Sequence, residues 1–216
     1  MLLQWNGHSE FLLESADGCR VLTDPFDDHV GYPMREVRAD AETVSHGHGD
    51  HSYTAKVAGK PMILTAPGKT RLSMSVQVSA VEADHDDAGG TKRGKTLLTV
   101  IDMDGLRIAH LGDLGTALNE EQKAFLHDID ILLVPVGGFY TIDADQAAQV
   151  VRGVMPKVTI PMHYKTRFNS GWPISDDAPF WAALGVSAPE KTPLLRITKE
   201  DIGCCRPFYM FEEPKA

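Results

Sequence analysis

The chain has 216 residues, of which 43% are hydrophobic and 24% are charged, and its formal net charge is −9. This length and composition predict one globular domain over residues 1–216, with a core of ordinary size. The acidic balance argues against a large basic surface, so a nucleic-acid partner is not expected.

The three cysteines and the N-terminal segment bear on the compartment. Cys19, Cys204 and Cys205 form no Cys-x-x-Cys pair, and an odd number argues against a disulfide framework. The segment from Met1 to Trp5 has no basic stretch followed by a long apolar one, so no secretory leader is predicted. No apolar run is long enough to span a bilayer. We therefore expect a cytoplasmic protein without membrane insertion, and the sequence carries no signal of an oligomeric state.

Turn-forming residues alternate with short apolar runs through the first half of the chain, which predicts strands. The predicted strands are 1–5, 10–14, 19–25, 42–45, 61–65, 76–81 and 96–101. A polar loop is expected over 27–40, and a flexible basic connector over 88–95. Two helices are also expected: one over 52–58, with Ser52 or Asp50 near its N-cap, and a short one after the turn at 66–68.

The second half alternates strands with helices. The strand at 106–111 is expected to form a hairpin with 96–101 across Asp102-Met103-Asp104-Gly105. Further strands are predicted over 129–136, 157–161, 194–198 and 205–211. Helices are predicted over 120–127, 143–152 and 178–184. Open α/β sheets bind ligands at the carboxyl ends of their strands, so the loops after the strands are the places to look for a site.

One loop of this kind carries three histidines and a carboxylate within six positions. They are His46, His48, Asp50 and His51, and the intervening glycines let the backbone turn tightly. A buried cluster of this type would leave its lone pairs unpaired unless it held a cation. Imidazoles with a carboxylate suit zinc, manganese, iron or nickel better than calcium.

The pattern His-x-His-x-Asp-His resembles the signature of the metallo-β-lactamase superfamily. The resemblance extends from Asn6-Gly7-His8-Ser9 to Pro161-Met162-His163-Tyr164. Within that superfamily the chain is similar to compact metal-dependent hydrolases related to L-ascorbate-6-phosphate lactonases and to the phospholipase D that acts on N-acylphosphatidylethanolamine. The resemblance implies an α/β fold, a four-layer αβ/βα sandwich with the site at one edge.

The resemblance also implies two divalent metal ions, with zinc the first expectation and manganese, iron or nickel compatible with the same ligands. His46, His48 and His85 would hold one ion. Asp50, His51 and His163 would hold the other, and Asp113 would bridge them. Two ions about 3.5–4 Å apart can clamp a hydroxide that attacks a carbonyl or phosphoryl centre.

The third ligand of the first ion has two candidates, His85 and His110. On an extended strand, His110 and Asp113 are three residues apart and point to opposite faces, which favours His85. Asp50 and His110 are the candidate catalytic residues, with His110 giving a proton near the leaving group or supporting a ligand.

Residues around the cluster have two interpretations each. His8 either faces the substrate or supports a ligand, or it is a satisfied structural histidine. Asp24 either orients a ligating histidine or caps the Asp-Pro turn. Tyr140, Lys165, Arg167 and Trp172 are candidates for substrate contact. The two cations either meet a phosphate or carboxylate, or are ordinary solvated charges.

The sequence therefore predicts a metal-dependent hydrolase that acts on a small-molecule ester, lactone or phosphodiester. A metal-binding or regulatory protein with the same fold and little turnover is the alternative, but it predicts a gap in the ligand set, and none is found. A di-iron redox protein would need an electron-accepting segment, which these residues do not contain.

Overall fold

The computed structural model describes residues 1–215. In chain order its strands are β1 (Leu2–Gly7), β2 (Glu10–Glu14), β3 (Arg20–Thr23), β4 (Val37–Arg38), β5 (Ala41–Thr43), β6 (Val57–Ala58), β7 (Met62–Leu64), β8 (Gly68–Arg71), β9 (Val76–Asp84), β10 (Lys95–Met103), β11 (Leu106–His110), β12 (Ile131–Pro135), β13 (Val158–Met162), β14 (Lys191–Thr192), β15 (Leu195–Arg196) and β16 (Met210–Phe211). The α-helices are α1 (Glu120–Phe125), α2 (Ala144–Val154) and α3 (Ala178–Leu184).

Two mixed six-stranded sheets form the body of the protein. The first has the order β15-β1-β2-β3-β5-β7 and the second the order β13-β12-β11-β10-β9-β8. In each sheet an antiparallel half continues into a parallel half, which is β3-β5-β7 in the first sheet and β11-β12-β13 in the second. The parallel halves bring several strand ends to one edge, and the candidate ligands follow those ends.

The core lies between the two sheets. One hydrophobic cluster joins Leu3, Phe11 and Val21 of the first sheet to Ile108 and Leu133 of the second, all fully buried. Strands β12 and β13 are buried along their whole length, as expected for strands covered on both faces. Helix α2 packs on β12 and on α3 outside the second sheet. Within residues 1–215, none of the helices has the length and apolar character needed to cross a bilayer.

The helix expected over residues 52–58 is wrong. That segment makes only a 3₁₀ turn, Thr54–Lys56, and then enters β6. Val57 pairs with Val37 of β4 and packs with Leu22 and Ala39 in a small apolar cluster. Tertiary pairing of a β-branched residue therefore overrides the local helical preference.

Two other local expectations also need correction. No helix follows the turn at 66–68, because β8 pairs with β9 in the second sheet. The basic connector after β9 is ordered by the Asp86 carboxylate, which accepts hydrogen bonds from backbone N–H groups of the loop.

Other local signals predicted the structure well. The hairpin β10–β11 closes at Asp104 and Gly105, whose φ values of 52° and 76° are those of a primed turn. Asp143 caps α2 through a capping box with Gln146, and α3 has the predicted bounds. These segments are specified locally, because the turn and cap residues satisfy backbone geometry without distant partners.

Candidate metal centre

Side chains from five strand ends converge at one edge of the two sheets. The side chains form three groups, and within each group the potential ligand atoms lie within 4.8 Å of one another. They are His46 with His48 and His85; His8 with Asp50, His51 and His163; and His46 with His51 and Asp113. All seven sequence-predicted ligands are brought together, and His8 joins them.

The first group contains only imidazoles. Nε2 of His46 lies 2.9 Å from Nδ1 of His48, and the ring centroids of His46 and His85 are 4.6 Å apart. The three rings come from two loops, one after β5 and one after β9. Such a set can supply three neutral nitrogens to one ion and leave a position open.

The second group combines imidazoles with a carboxylate. Oδ2 of Asp50 is 3.2 Å from Nε2 of His8 and 3.4 Å from Nε2 of His51. The ring of His163 lies 4.2 Å from that of His8. This group offers one carboxylate and three imidazoles, a set that suits a harder or borderline divalent ion.

The Asp113 carboxylate lies between the two groups. Its Oδ1 is 3.2 Å from Nε2 of His51, and its Oδ2 is 3.4 Å from Nε2 of both His85 and His163. Nε2 of His46 is 3.9 Å from the same Oδ2. One carboxylate thus lies within 3.2–3.4 Å of nitrogens of both groups.

Two glycines let the Asp113 loop approach its neighbours. Gly112 has φ of +51°, and a Cβ there would lie 2.5 Å from Oγ1 of Thr96. A Cβ on Gly115 would lie 2.2 Å from the backbone of His85. Larger residues at these positions would push Asp113 away from the cluster, so the loop requires glycine for close approach and for its left-handed turn.

Hydrogen bonds around the cluster fix which nitrogen each histidine presents. Asp24 accepts from Nδ1 of His51 at 2.7 Å and from the backbone and hydroxyl of Ser45 at 2.7 and 2.6 Å. The Ser45 hydroxyl lies 2.9 Å from Nδ1 of His46. Nε2 of His51 and of His46 is therefore left for an ion, and Asp24 orients the ring of the candidate ligand His51.

Burial and neighbouring charges set the protonation of the cluster. Burial and then the His51 charge lower the pKa of His46 to about 3, and burial with the His163 charge lowers the pKa of His8 to about 4. Burial also lowers the pKa of His85. Burial alone would raise the pKa of Asp113, but His163 and His51 hold it well below its ordinary value. Burial alone would lower the pKa of His51, but Asp113, Asp50 and Asp24 raise it well above its ordinary value, so a metal ion would have to displace the proton of this ring.

Several buried polar atoms of the cluster have no hydrogen-bond partner. They are Nε2 of His51, both ring nitrogens of His163, Nδ1 of His8 and of His85, and Oδ1 of Asp113. A buried polar atom without a hydrogen bond destabilises the folded state, and this number of them in one place needs an explanation. A bound divalent ion would satisfy the atoms that point inward, so the donor set fits a divalent metal.

His110 does not belong to the cluster. Its Nε2 lies 2.8 Å from the carbonyl oxygen of Ser9, and its Nδ1 accepts from the backbone of Gly112 at 3.1 Å. Both nitrogens are occupied and the residue is buried, so the geometry does not support the proton-donor role expected for it. β11 ends at His110, so Asp113 is not on an extended strand, and the expectation that the two side chains point to opposite faces of one strand is wrong.

An open cavity of about 650 Å³ leads to the cluster. His48, Asp50, His85 and Asp113 line it on the metal side, and Tyr140 and Trp172 line it elsewhere, as expected for substrate contact. His8 is fully buried beneath Asp50 and does not line the cavity, so the substrate-facing expectation for it is corrected.

The two cations expected at the substrate do not line the cavity either. Nε of Arg167 pairs with Glu213 at 2.8 Å, and its side chain is mostly exposed. Lys165 is likewise absent from the cavity wall, on which His29 and Arg93 lie instead. The sequence signal for Arg93 was its place in the basic connector, but nothing local showed that this loop folds over the cavity.

The comparisons with known proteins agree with this geometry. Residues 2–163 match the family model described as a beta-lactamase superfamily domain. A UPF0173 metal-dependent hydrolase of Archaeoglobus fulgidus is 32% identical over 196 residues, which cover 77% of this chain and 84% of the relative. The protein of the same name from Thermoplasma acidophilum is 34% identical over 187 residues, with coverage of 75% and 82%.

A solved structure shows the same arrangement of the whole chain. It is a Thermotoga maritima protein assigned to the Zn-dependent hydrolases of the metallo-β-lactamase superfamily, with a TM-score of 0.77, 33% identity and 99% of both chains covered. The chain therefore belongs to the metallo-β-lactamase superfamily, and the expected αβ/βα sandwich is confirmed. Its relatives within that superfamily are the metal-dependent hydrolases, and it is an enzyme of that type.

Proposed function

We propose that the enzyme uses a dinuclear metal centre to hydrolyse an ester, a lactone or a phosphodiester of a small molecule. The observation that carries the proposal is the position of Asp113, whose two oxygens lie 3.2–3.4 Å from nitrogens of His51, His85 and His163. His46, His48 and His85 would hold one ion, and Asp50, His51 and His163 the other. Zinc is the first expectation, and manganese, iron and nickel suit the same donors.

The bound ions would supply two things, a water of lowered pKa and positive charge for the oxygen that becomes negative during attack. The side chains of the protein hold the candidate ligands and the attacking water in position. Asp24 holds the His51 ring by its Nδ1, and Ser45 holds the His46 ring. Asp50 lines the cavity with part of its carboxylate exposed, where it can accept a hydrogen bond from the attacking water and orient it.

His8 has a supporting role in this proposal. Its Nε2 faces Oδ2 of Asp50 at 3.2 Å, and its backbone carbonyl accepts from the N–H of His163 at 3.3 Å. It therefore fixes two members of the second group at once. We place it as a positioning residue, or as a further nitrogen of that group, beneath the substrate.

Metal content tests the dinuclear proposal. We expect about two divalent ions per chain by elemental analysis of the native protein, and one or fewer in Asp113→Asn, because the amide has no charge with which to bridge two ions. Asp130→Asn is the matched control, since Asp130 is also a buried carboxylate but pairs with Lys157 and Lys199 away from the cluster. Equal metal content in both variants would overturn the bridging role.

Turnover tests the substrate class. The metal-loaded enzyme should hydrolyse at least one member of a panel of p-nitrophenyl acetate, γ-lactones, thioesters and bis-p-nitrophenyl phosphate, and Asp113→Asn should lose that activity by roughly a hundredfold or more. An enzyme with two ions per chain and no activity on any member would contradict this choice of bonds.

We also propose a cytoplasmic location. Cys19, Cys204 and Cys205 are all free thiols, and free thiols are typical of reducing compartments.

A further inference from the structure

Arg93 brings a positive charge to the wall of the metal cavity. The cavity of about 650 Å³ is lined on one side by His48, Asp50 and Asp113 and elsewhere by Arg93 and Tyr140. The Arg93 guanidinium lies 5.6 Å from the centroid of the Tyr140 ring. That distance allows a cation–π contact, which helps to hold the guanidinium beside the cavity.

The backbone that carries Arg93 is held in place by one carboxylate. Asp86, directly after His85, accepts from the backbone N–H groups of four loop residues, at 2.7–3.0 Å: Ala88, Gly90, Lys92 and Arg93. Arg93 is thus tied by its own N–H to the loop that supplies a metal ligand. Its position relative to His85 is set by this loop rather than by a free chain segment.

The other cations of the loop have partners, and Arg93 has none within residues 1–215. Nζ of Lys92 lies 2.7 Å from Oδ1 of Asp87, and Lys95 pairs with Asp84. No ion pair or side-chain hydrogen bond forms at the Arg93 guanidinium in the described part of the chain. Asp50 and Asp113, the cavity carboxylates closest to the reaction, are engaged by the histidines of the cluster.

We propose that Arg93 binds an anionic group of the substrate, a carboxylate or phosphate, while the bond to be cleaved lies at the metals. This inference rests on the proposed function, because it uses the same cavity. A guanidinium presents two parallel N–H groups to an oxyanion, which gives direction as well as charge. The enzyme would accordingly act on esters or phosphodiesters that carry a second, negatively charged group, and Arg93 would determine that preference.

Equilibrium binding to the metal-loaded protein tests the proposal without turnover. The probes are butyrate, succinate, glutarate and adipate, measured by isothermal titration calorimetry. Every probe has one carboxylate for the metals, and only the last three have a second for Arg93. We expect at least one dicarboxylate to bind about 10–100-fold more tightly than butyrate, since a charged hydrogen-bonded contact contributes that much.

Three variants locate the effect. Arg93→Ala should remove the preference for the dicarboxylate, and Arg93→Lys should keep part of it, because the charge remains and the paired N–H geometry is lost. Lys92→Ala is the matched control from the same loop and should keep the full preference. Butyrate affinity should stay the same in Lys92→Ala, and metal content should stay the same in all three variants, which shows that the metal side is intact.

Two results would overturn the proposal: equal affinity for butyrate and every dicarboxylate in the native protein, or a preference that persists in Arg93→Ala. 3-Phosphonopropionate distinguishes the anion, since a larger gain for it than for succinate indicates a phosphate-bearing substrate and a smaller one a carboxylate. Metal content and turnover, measured separately, report on the proposed function. A protein that binds the dicarboxylate through Arg93 but hydrolyses nothing would leave Arg93 in place and remove the hydrolysis proposal.

Discussion

The hydrogen-bond partner of each buried histidine decides which ring nitrogen is free for chemistry. His51 donates its Nδ1–H to Asp24 and keeps Nε2 for the cluster. His110 has the same burial, but Ser9 and Gly112 occupy both of its nitrogens. Histidines that look equivalent in a sequence can therefore have different roles, because the hydrogen bonds of the ring decide whether a nitrogen is free to bind an ion.

This contrast predicts opposite results for two substitutions. His85→Ala should lose metal from the first group and change stability little beyond that loss. His110→Ala should keep its metal but unfold more easily, by about 2–4 kcal/mol, because it leaves a buried carbonyl, a buried N–H and a cavity. Elemental analysis with urea denaturation checks both, and loss of metal in His110→Ala alone would reverse the assignment.

Glu42 is a buried carboxyl group that does not belong to the candidate ligand groups. It lies on β5, next to the edge strand β7, is fully buried, and neither of its oxygens has a hydrogen-bond partner in the described part of the chain. Burial first, and then the charge of Glu10, raise the pKa of Glu42 to about 7. Glu10 is itself paired with Lys56, whose Nζ lies 2.5 Å from Oε2. The folded state therefore favours protonated Glu42.

The raised pKa of Glu42 should make the free energy of unfolding depend on pH. The contribution of Glu42 to stability is full below its ordinary pKa of 4.5 and is lost as pH rises through about 7. Glu42→Gln should match the native protein near pH 5 and exceed its free energy of unfolding by roughly 2–3 kcal/mol near pH 8. Urea denaturation at both pH values checks this. Glu82→Gln, at an exposed glutamate, is the control and should show no such difference between the two pH values. If Glu42→Gln shows none either, the native Glu42 carboxyl is already ionised at pH 5 and the prediction is contradicted.

Loops between strands, rather than helices, determine the shape of the site. The loop after β9 turns on the Asp86 carboxylate and carries His85 at one end and Arg93 at the other. Burial alone would raise the pKa of Asp86. The backbone N–H groups of Arg93 and its neighbours have the larger combined effect and lower it to about 2. Asp86 is accordingly ionised at neutral pH, when its four hydrogen bonds are strongest.

The Asp86 turn predicts a local effect on dynamics. Asp86→Ala should speed amide hydrogen exchange at Ala88, Gly90, Lys92 and Arg93, because their N–H groups lose their acceptor, while β12 and β13 keep native protection. Exchange measured by NMR or mass spectrometry checks this. Asp87→Ala is the matched control, since the Asp87 carboxylate pairs with the exposed Lys92 side chain. Unchanged exchange in Asp86→Ala would mean that other contacts hold the loop.

At the scale of the whole molecule, backbone hydrogen bonds tie the ligand loops of the two sheets together. Leu97 N–H of the second sheet donates to Ser45 O of the first at 2.9 Å, and His163 N–H donates to His8 O at 3.3 Å. The metal centre is thus assembled across the seam between the sheets. Ions bound there should hold the two sheets together, since they bind the folded state and find no preformed site in the unfolded chain.

Metal removal should therefore lower global stability. At a free metal concentration about 100 times Kd, binding contributes about 2.7 kcal/mol per site, which corresponds to a Tm difference of roughly 5–10 °C for a chain of this size. Calorimetry of the native protein with and without EDTA checks this, and Asp113→Asn should show a smaller difference. A Tm that EDTA leaves unchanged would contradict the coupling between metal and fold.

The motifs of the sequence resemble those of a known superfamily, and that resemblance predicted the sandwich and the seven residues expected to bind metal. Turn and cap signals predicted local elements such as the β10–β11 hairpin and α2, because they act over short distances. Only the tertiary structure decided what depends on distant partners. Val57 lies in a strand because it pairs with Val37. His110 lies outside the cluster because Ser9 and Gly112 occupy its ring nitrogens. Arg93, rather than Lys165 or Arg167, lines the cavity because Asp86 orders its loop. Such partners are separated along the chain, and only the packing of the two sheets brings them together.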